Sequence, residues 1–592
     1  MGRPLRRLTL PILQLLRRMP QKRLMFILAI VVGVLVAIAG HLLKEAIHLV
    51  QNIANSFSNA ENENWVYLVF PTIGIALTVL FVRYYVRDDI SHGVTRIFYA
   101  ISRRKSRIKS HNTYTSVISS ATTIGFGGSV GAEAPIVLTG AAIGSNLGQF
   151  LRLRYNLLTL LVGCGAAAAI AAVYKAPIAG FAFVLEVLML ELTFTSVVPL
   201  LIASVTAATA TYLMVGIEPF FGNYTPVFHL DNIVFYGVLG VLGGVLSYFF
   251  SNTTMWLEGY FKKYKKVWLK VLCGGLVLGL LIFIFPPLYG EGYTSITGLL
   301  EGDTTTIFNH SLFFGISDNM LTLVLYVLGI LFFKVIAMTV TNASGGVGGT
   351  FAPSLFFGAM MGYLFAVVCN YCFDAGLPEG SFTLVGMAAI MSGVMKAPIT
   401  SMFLVAELTG GFQLFLPLML ASAVSFALSY YFEPYSIYTK RLALRGELLT
   451  HNKDENALQF IALDRLVEHD FATVRSDGTL HDLIDAVAAS SRNIFAVIDG
   501  NRVLRGVIYL DDIREDMFKS ELWDNTPLRS YMSHSTEIIR QGDSARTIVD
   551  RFEQSGLWNM PVVDSEGRYD GFVSKSRVLS AYREQLQRLS ED

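Results

Sequence analysis

The stretch Gly127-Gly128-Ser129-Val130-Gly131-Ala132-Glu133-Ala134-Pro135 recurs as Gly345-Gly346-Val347-Gly348-Gly349-Thr350-Phe351-Ala352-Pro353. Downstream, Gly140 and Gly144 match Gly358 and Gly362, and Lys175-Ala176-Pro177-Ile178 matches Lys396-Ala397-Pro398-Ile399. In both halves a lone carboxylate follows the lysine at the same distance, Glu186 in the first and Glu407 in the second. Glycine-rich backbone leading into Ala-Pro places free amides at a helix start, where proline is tolerated because its missing N–H would be an orphan anyway. Such a start favours a negative ion. Glycines of this kind also serve simply to let helices pack closely. Glu133 argues for more than packing, because a carboxylate at membrane depth is costly and marks a functional site by default.

The chain has 592 residues, 53% hydrophobic and 15% charged, with a mean hydropathy of +0.51. Its first three quarters read as a polytopic membrane protein. Apolar stretches long enough to span lie at 24–50, 65–86, 155–173, 193–215, 232–252, 267–286, 318–340, 354–372 and 412–432. Others are short and cut by glycine or proline, as expected for helices that stop midway. Non-helical backbone survives in hydrocarbon only inside protein or along a cavity, so matching broken segments in two halves point to a transport site.

The net charge of +1 conceals a basic start. Arg3, Arg6, Arg7, Arg17, Arg18, Lys22 and Arg23 precede the first span, with no acid before Glu45. The positive-inside rule makes residues 1–23 a cytoplasmic segment, read as an interfacial helix rather than a cleavable signal. Four cysteines, Cys164, Cys273, Cys369 and Cys372, lie in apolar runs and read as buried thiols; no metal site is expected. Nucleophile–base pairs, Walker loops and basic, aromatic-interleaved surfaces are missing from the pattern, so neither an enzyme nor a nucleic-acid binder is expected.

Near residue 450 the composition turns charged and periodic, and residues 455–592 read as a separate α/β domain. Asn493-Ile-Phe-Ala-Val-Ile-Asp499 followed by Gly506-Val-Ile-Tyr509-Leu-Asp-Asp512 has a second copy, Asn559-Met-Pro-Val-Val-Asp564 followed by Gly571-Phe-Val-Ser574-Lys-Ser-Arg577. Each copy is a buried strand, a polar turn, a second strand and a helix start. The pair resembles tandem cystathionine-β-synthase-type (CBS) modules, which in many proteins hold an adenine nucleotide. That resemblance makes Tyr509, Asp512, Ser574 and Arg577 the nucleotide-contacting positions, with ATP, ADP or AMP as ligand. The expected Ser/Thr–Asp pair is complete in neither module, and a ligand-free dimerising scaffold is the alternative.

The repeat, the embedded glutamate and the tail together resemble the CLC chloride channel and transporter family over essentially the whole length. The implied fold is an inverted repeat of broken, tilted helices over 24–447, with halves at about 24–216 and 230–433, assembled as a homodimer. Gly131-Ala132-Glu133-Ala134-Pro135 is similar to the family's Gly-Arg-Glu-Gly-Pro, which makes Glu133 the gate beside the anion site. Gly349-Thr350-Phe351-Ala352-Pro353 matches Gly-x-Phe-x-Pro and implies anion-binding amides at Thr350 and Phe351. Within Glu433-Pro434-Tyr435-Ser436-Ile437, the resemblance implies Tyr435 as the hydroxyl donor to the central ion.

Three departures matter. Ser91-His92-Gly93-Val94-Thr95 stands where the family has Gly-Ser-Gly-Ile-Pro, putting His92 at the central serine; its imidazole either donates to the anion or points away, leaving the amides to bind. Lys175-Ala-Pro-Ile-Ala-Gly180 leads to Glu186-Val187, where family antiporters carry two glutamates. Val187 occupies the inner proton-relay position and cannot titrate, while Glu186 matches the structural acid; Glu191 is a substitute relay to consider. Ala132 and Ala134 replace the arginine and glycine beside the gate, and losing the arginine weakens the field for anions. The expectation is a passive, Glu133-gated chloride channel in a bacterial inner membrane with both termini cytoplasmic. A chloride/proton antiporter and a nucleotide-sensing membrane protein with weak transport are the alternatives.

Overall fold

The computed structural model describes residues 19–56, 66–189, 194–221, 224–313, 319–443, 461, 463–533 and 537–591. Most of the basic start and Glu191 lie outside them. The chain divides into two units, Met1–Leu448 and Leu449–Asp592. Among the described residues of the first unit, nine helices are long and apolar enough to cross a membrane. They coincide with the nine apolar stretches of the sequence.

The first half contains α1 (Gln21–Ser56), α2 (Val66–Leu80), α3 (Gly93–Arg103), α4 (Thr115–Gly125), α5 (Glu133–Leu151), α6 (Tyr155–Tyr174), α7 (Pro177–Glu186) and α8 (Phe194–Val215). The second contains α9 (Ile233–Lys262), α10 (Val267–Ile284), α11 (Tyr293–Leu300), α12 (Met320–Ala343), α13 (Phe351–Phe373), α14 (Glu379–Met395), α15 (Pro398–Leu408), α16 (Phe415–Phe432) and α17 (Ile437–Ala443). The sequence repeat maps onto matching elements. Its glycine stretches open α5 and α13, and its Lys-Ala-Pro-Ile elements open α7 and α15.

Local chemistry sets these breaks. Lys175 and Lys396 end α6 and α14 with positive φ, 55° and 58°, and a proline then takes the first helical position of α7 and α15. The downstream glycines are packing devices. A Cβ on Gly140 would meet the Gly165 carbonyl oxygen at 2.2 Å and one on Gly358 the Gly386 oxygen at 2.4 Å, so α5 lies on α6 and α13 on α14 at backbone contact.

The matching carboxylates exchange partners across the repeat. Glu186 at the end of α7 accepts the amides of Ile399 (2.9 Å) and Thr400 (2.7 Å) at the start of α15. Glu407 in α15 accepts those of Ile178 (3.0 Å) and Ala179 (2.8 Å) at the start of α7. Each acid thus satisfies orphan N–H groups of the other half's helix and complements its dipole.

All four cysteines are free thiols. Cys164 and Cys369 are buried as expected, but Cys273 and Cys372 are exposed, because they fall on the outer faces of their helices. No group of three or more metal-ligating side chains occurs among the described residues.

The second unit holds two three-stranded sheets of the same design. In the first, β1 (Thr473–Arg475) runs parallel to β2 (Ile494–Ile498), which pairs antiparallel with β3 (Leu504–Tyr509); in the second, β4 (Ile539–Arg540), β5 (Asn559–Val563) and β6 (Tyr569–Ser574) repeat this order. Even the irregularity repeats, with a register shift at Val497/Ile498 and again at Val562/Val563. Helices α18 (Leu480–Ala489) and α19 (Leu510–Ile513) accompany the first sheet, α20 (Ala545–Ser555) and α21 (Lys575–Glu591) the second.

Candidate functional site

The two glycine loops meet. Gly131 donates its N–H to the Gly349 carbonyl at 3.0 Å and accepts that of Gly349 at 2.6 Å. This reciprocal pair brings the start of α5 against the start of α13, so two helix N-termini face one small volume. Glu133, at the first position of α5, is 1% exposed. Its carboxylate folds back over Gly131, where a Cβ would lie 2.0 Å from Oε2, and Oε2 makes a long contact, 3.4 Å, with the Ala352 amide near the head of α13. The carboxylate therefore lies where the second half's free amides converge, beside Thr350 and Phe351.

The other carboxylate oxygen is held by phenols. Tyr174 Oη donates a short hydrogen bond to Glu133 Oε1, and Tyr293 Oη donates to the same oxygen at 2.9 Å. The two phenol oxygens are 2.5 Å apart. Tyr174 closes α6 and stacks on Phe351 with ring centroids 5.7 Å apart, while Tyr293 opens α11 and packs edge-on against Phe220 at 4.9 Å. Phe220 also borders a cavity of 310 Å³ lined by Glu218, Phe221, Tyr224, Thr297 and Glu301.

Charged groups surround the loop that carries the gate. Glu291 Oε1 accepts the Ala132 amide at 2.9 Å. Lys334, fully buried in α12, donates to Ser129 Oγ at 2.9 Å and to the Gly290 carbonyl at 3.3 Å. Lys44 of α1 donates to the Val173 carbonyl at 2.7 Å, one residue before Tyr174. Ala132 stands where the family motif has an arginine, and the two lysine amines lie on either flank of the loop that carries the gate.

The expected tyrosine is displaced. Tyr435 is 43% exposed and precedes α17, its amide making only a 3.4 Å contact with Glu433. Tyr438, 3% exposed, receives a 3.4 Å contact from Thr350 Oγ1 at the head of α13. Helix α17 begins only at Ile437, so Tyr435 lies outside it and Tyr438 on its inner face. A buried bidentate pair anchors this helix: Arg441 Nη2 and Nε lie 2.5 and 3.2 Å from the Glu258 carboxylate of α9.

His92 caps α3 with φ of 55°, and its Nε2 lies 4.0 Å from Glu258 Oε1. The imidazole thus faces the Glu258–Arg441 pair. Burial, helped by the nearby Arg441 charge and opposed by Glu258, pushes its pKa down to about 4, so it is neutral at pH 7. Ser91 Oγ is bonded to Asp89 at 2.5 Å. Gly93 packs tightly, since a Cβ there would meet the Ala134 carbonyl oxygen at 2.4 Å, which brings the start of α3 onto α5. Val187 is buried directly after α7.

In the second unit, Asp512 Oδ2 accepts the Tyr509 amide at 3.4 Å and thereby caps α19. Ser574 Oγ donates to Glu468 and accepts the Arg577 amide at 3.2 Å. Each of these interactions is internal to its own helix start or strand neighbour.

Tyr174, Tyr293, Glu291, Lys44, Lys334 and Tyr438 are the residues that sequence reasoning missed. A lysine within a predominantly apolar helix of 24 residues, as at Lys334, is a visible signal by the same rule that flags Glu133. The tyrosines carry no such signal, because a phenol is common near membranes.

Residues 73–430 match the family model described as voltage gated chloride channel, and residues 528–584 match the CBS domain. A putative chloride channel protein ClcB-like of Ralstonia nicotianae is 30% identical over 400 residues, covering 64% of this chain and 86% of that protein. The H(+)/Cl(-) exchange transporter ClcA of Vibrio cholerae serotype O1 is 26% identical over 418 residues, covering 68% and 85%. Among solved structures, a slow cyanobacterial Cl-/H+ antiporter aligns with a TM-score of 0.61 at 21% identity over 72% of this chain and 98% of its own. A eukaryotic CLC transporter aligns with 0.61 at 17% over 96% and 98%. These last two likenesses concern the fold.

Proposed function

Because the chain belongs to the voltage gated chloride channel family, we propose that it conducts chloride passively through a pathway that Glu133 closes. It is a multi-pass membrane protein of an anion-transporting family. The proposal places one pathway in each subunit of a homodimer in a bacterial cell membrane, with both termini cytoplasmic. Chloride would shed water against the amides at the heads of α5 and α13 and the Tyr438 hydroxyl, in place of the Glu133 carboxylate. A phenol suits the task, since it donates a proton without adding charge.

The observation that carries the passive reading is Val187. A proton exchanged for chloride needs a titratable station between the gate and the cytoplasm, and the buried isopropyl group of Val187 offers none. Its neighbour Glu186 has both oxygens engaged at the head of α15. Reversal potentials in reconstituted bilayers under opposed chloride and pH gradients test this. A passive pathway reverses at the chloride equilibrium potential at every pH; an antiporter reverses at a potential displaced by the pH gradient.

For the tail, the proposed role is a scaffold without nucleotide. Ser574 is bonded to Glu468, a carboxylate that would repel a phosphate brought to the same hydroxyl.

A further inference from the structure

We propose that Tyr174 and Tyr293 act as a two-phenol latch that holds the Glu133 gate shut, and that the pathway opens only when both hydroxyls release the carboxylate. Resting on the gate reading above, this assigns two positioning residues that the glycine motifs do not contain. One phenol comes from each half of the chain, Tyr174 from the end of α6 and Tyr293 from the start of α11. Both oxygens reach Glu133 Oε1, and they reach each other. Two phenolic protons serve this triangle of oxygens. With both phenolic protons on Oε1 the gate is held twice; a proton placed on Oε1 itself would turn that oxygen into a donor and displace one of the two bonds.

The rings are fixed independently of the hydroxyls. Tyr174 is stacked on Phe351 and edge-on to Phe220, and Tyr293 is packed on Phe220 and Phe221. Phenylalanine at either position therefore keeps the packing and removes one donor. Facing Glu133 from the packed elements are Tyr174 and Tyr293, Tyr438 of α17, Glu291 before α11 and Lys44 of α1; Lys334 of α12 acts on Glu291. Only Tyr174 and Tyr293 bond the carboxylate through side-chain donors among the described residues. Two donors on one carboxylate oxygen anchor the plug in its seat.

The test is chloride efflux from vesicles holding the full chain, measured from about pH 4 to about pH 8. Tyr174→Phe and Tyr293→Phe should each raise flux at neutral pH severalfold and so shift the profile away from that of the parent, the double variant further. In a Glu133→Ala background, neither phenylalanine should change the profile. Coincident profiles for parent and phenylalanine variants, or a shift that persists without Glu133, would overturn the latch. Should Glu133→Ala itself leave the profile of the parent unchanged, the gate reading fails and the latch with it; a changed Glu133→Ala profile beside inert phenylalanines sinks the latch alone.

Discussion

Gly131 and Gly349 bond to one another in both directions, at 3.0 and 2.6 Å, so that the two copies of the repeated stretch form one element in space. Only a residue without a side chain fits at Gly131, because a Cβ there would lie 2.0 Å from Glu133 Oε2 and 2.9 Å from Ala352 Cβ. Gly131→Ala should therefore expel the carboxylate from its seat while leaving the fold in place. The expected outcome is chloride flux at neutral pH severalfold above the parent, with a flatter pH profile, measured by efflux from vesicles.

Tyr438 and Tyr435 make opposite predictions. Removing the hydroxyl that contacts Thr350, in Tyr438→Phe, should weaken chloride binding by about 1 kcal/mol, roughly fivefold, as for the loss of one hydrogen bond to an ion's site. Tyr435→Phe should bind like the parent, since that ring is largely outside the packed interior. Calorimetric chloride titration of the two variants separates them.

His92 predicts a stability trend with a definite sign. Its folded pKa of about 4 lies below the ordinary 6.5, so the unfolded chain binds the proton more readily. Its contribution is fully present above about pH 6.5 and is lost as pH falls from there toward about 4. His92→Asn keeps a residue that tolerates positive φ and removes the titration. Thermal unfolding in detergent should then fall less steeply across this window in the variant than in the parent.

The exchanged carboxylates Glu186 and Glu407 should behave as twins. Alanine at either position leaves two helix-terminal amides without their acceptor, a loss of about 1–3 kcal/mol. Comparable drops in melting temperature are expected for the two variants. Conduction should persist in both, because neither acid lies on the anion path proposed above.

Much of this fold is legible in the sequence because the bilayer imposes long apolar runs and because proline and glycine mark where helices stop. The run at 267–286 becomes Val267–Ile284, and Pro177 and Pro398 each begin a short helix. The acid pair was visible as a pattern, and its exchange across the halves became apparent only in three dimensions. Tyr435 and Tyr438 lie within one helical turn of each other, and the motif alone does not say where α17 begins. Tyr293 reaches Glu133 from a separate helix, through ring packing on Phe220 and Tyr174 that no periodicity encodes. Lys334 was readable, as a lone amine in an apolar helix, but its partner Ser129 belongs to the other half.

In the proposed mechanism chloride moves without protons because Val187 leaves the inner relay position without a titratable group. A pH electrode outside vesicles loaded with chloride measures this directly: an outward chloride gradient should drive chloride efflux with no coupled proton uptake, and Val187→Glu should leave that efflux running. Sustained external alkalinisation in fixed proportion to chloride release, dissipated by a proton ionophore, would contradict the account.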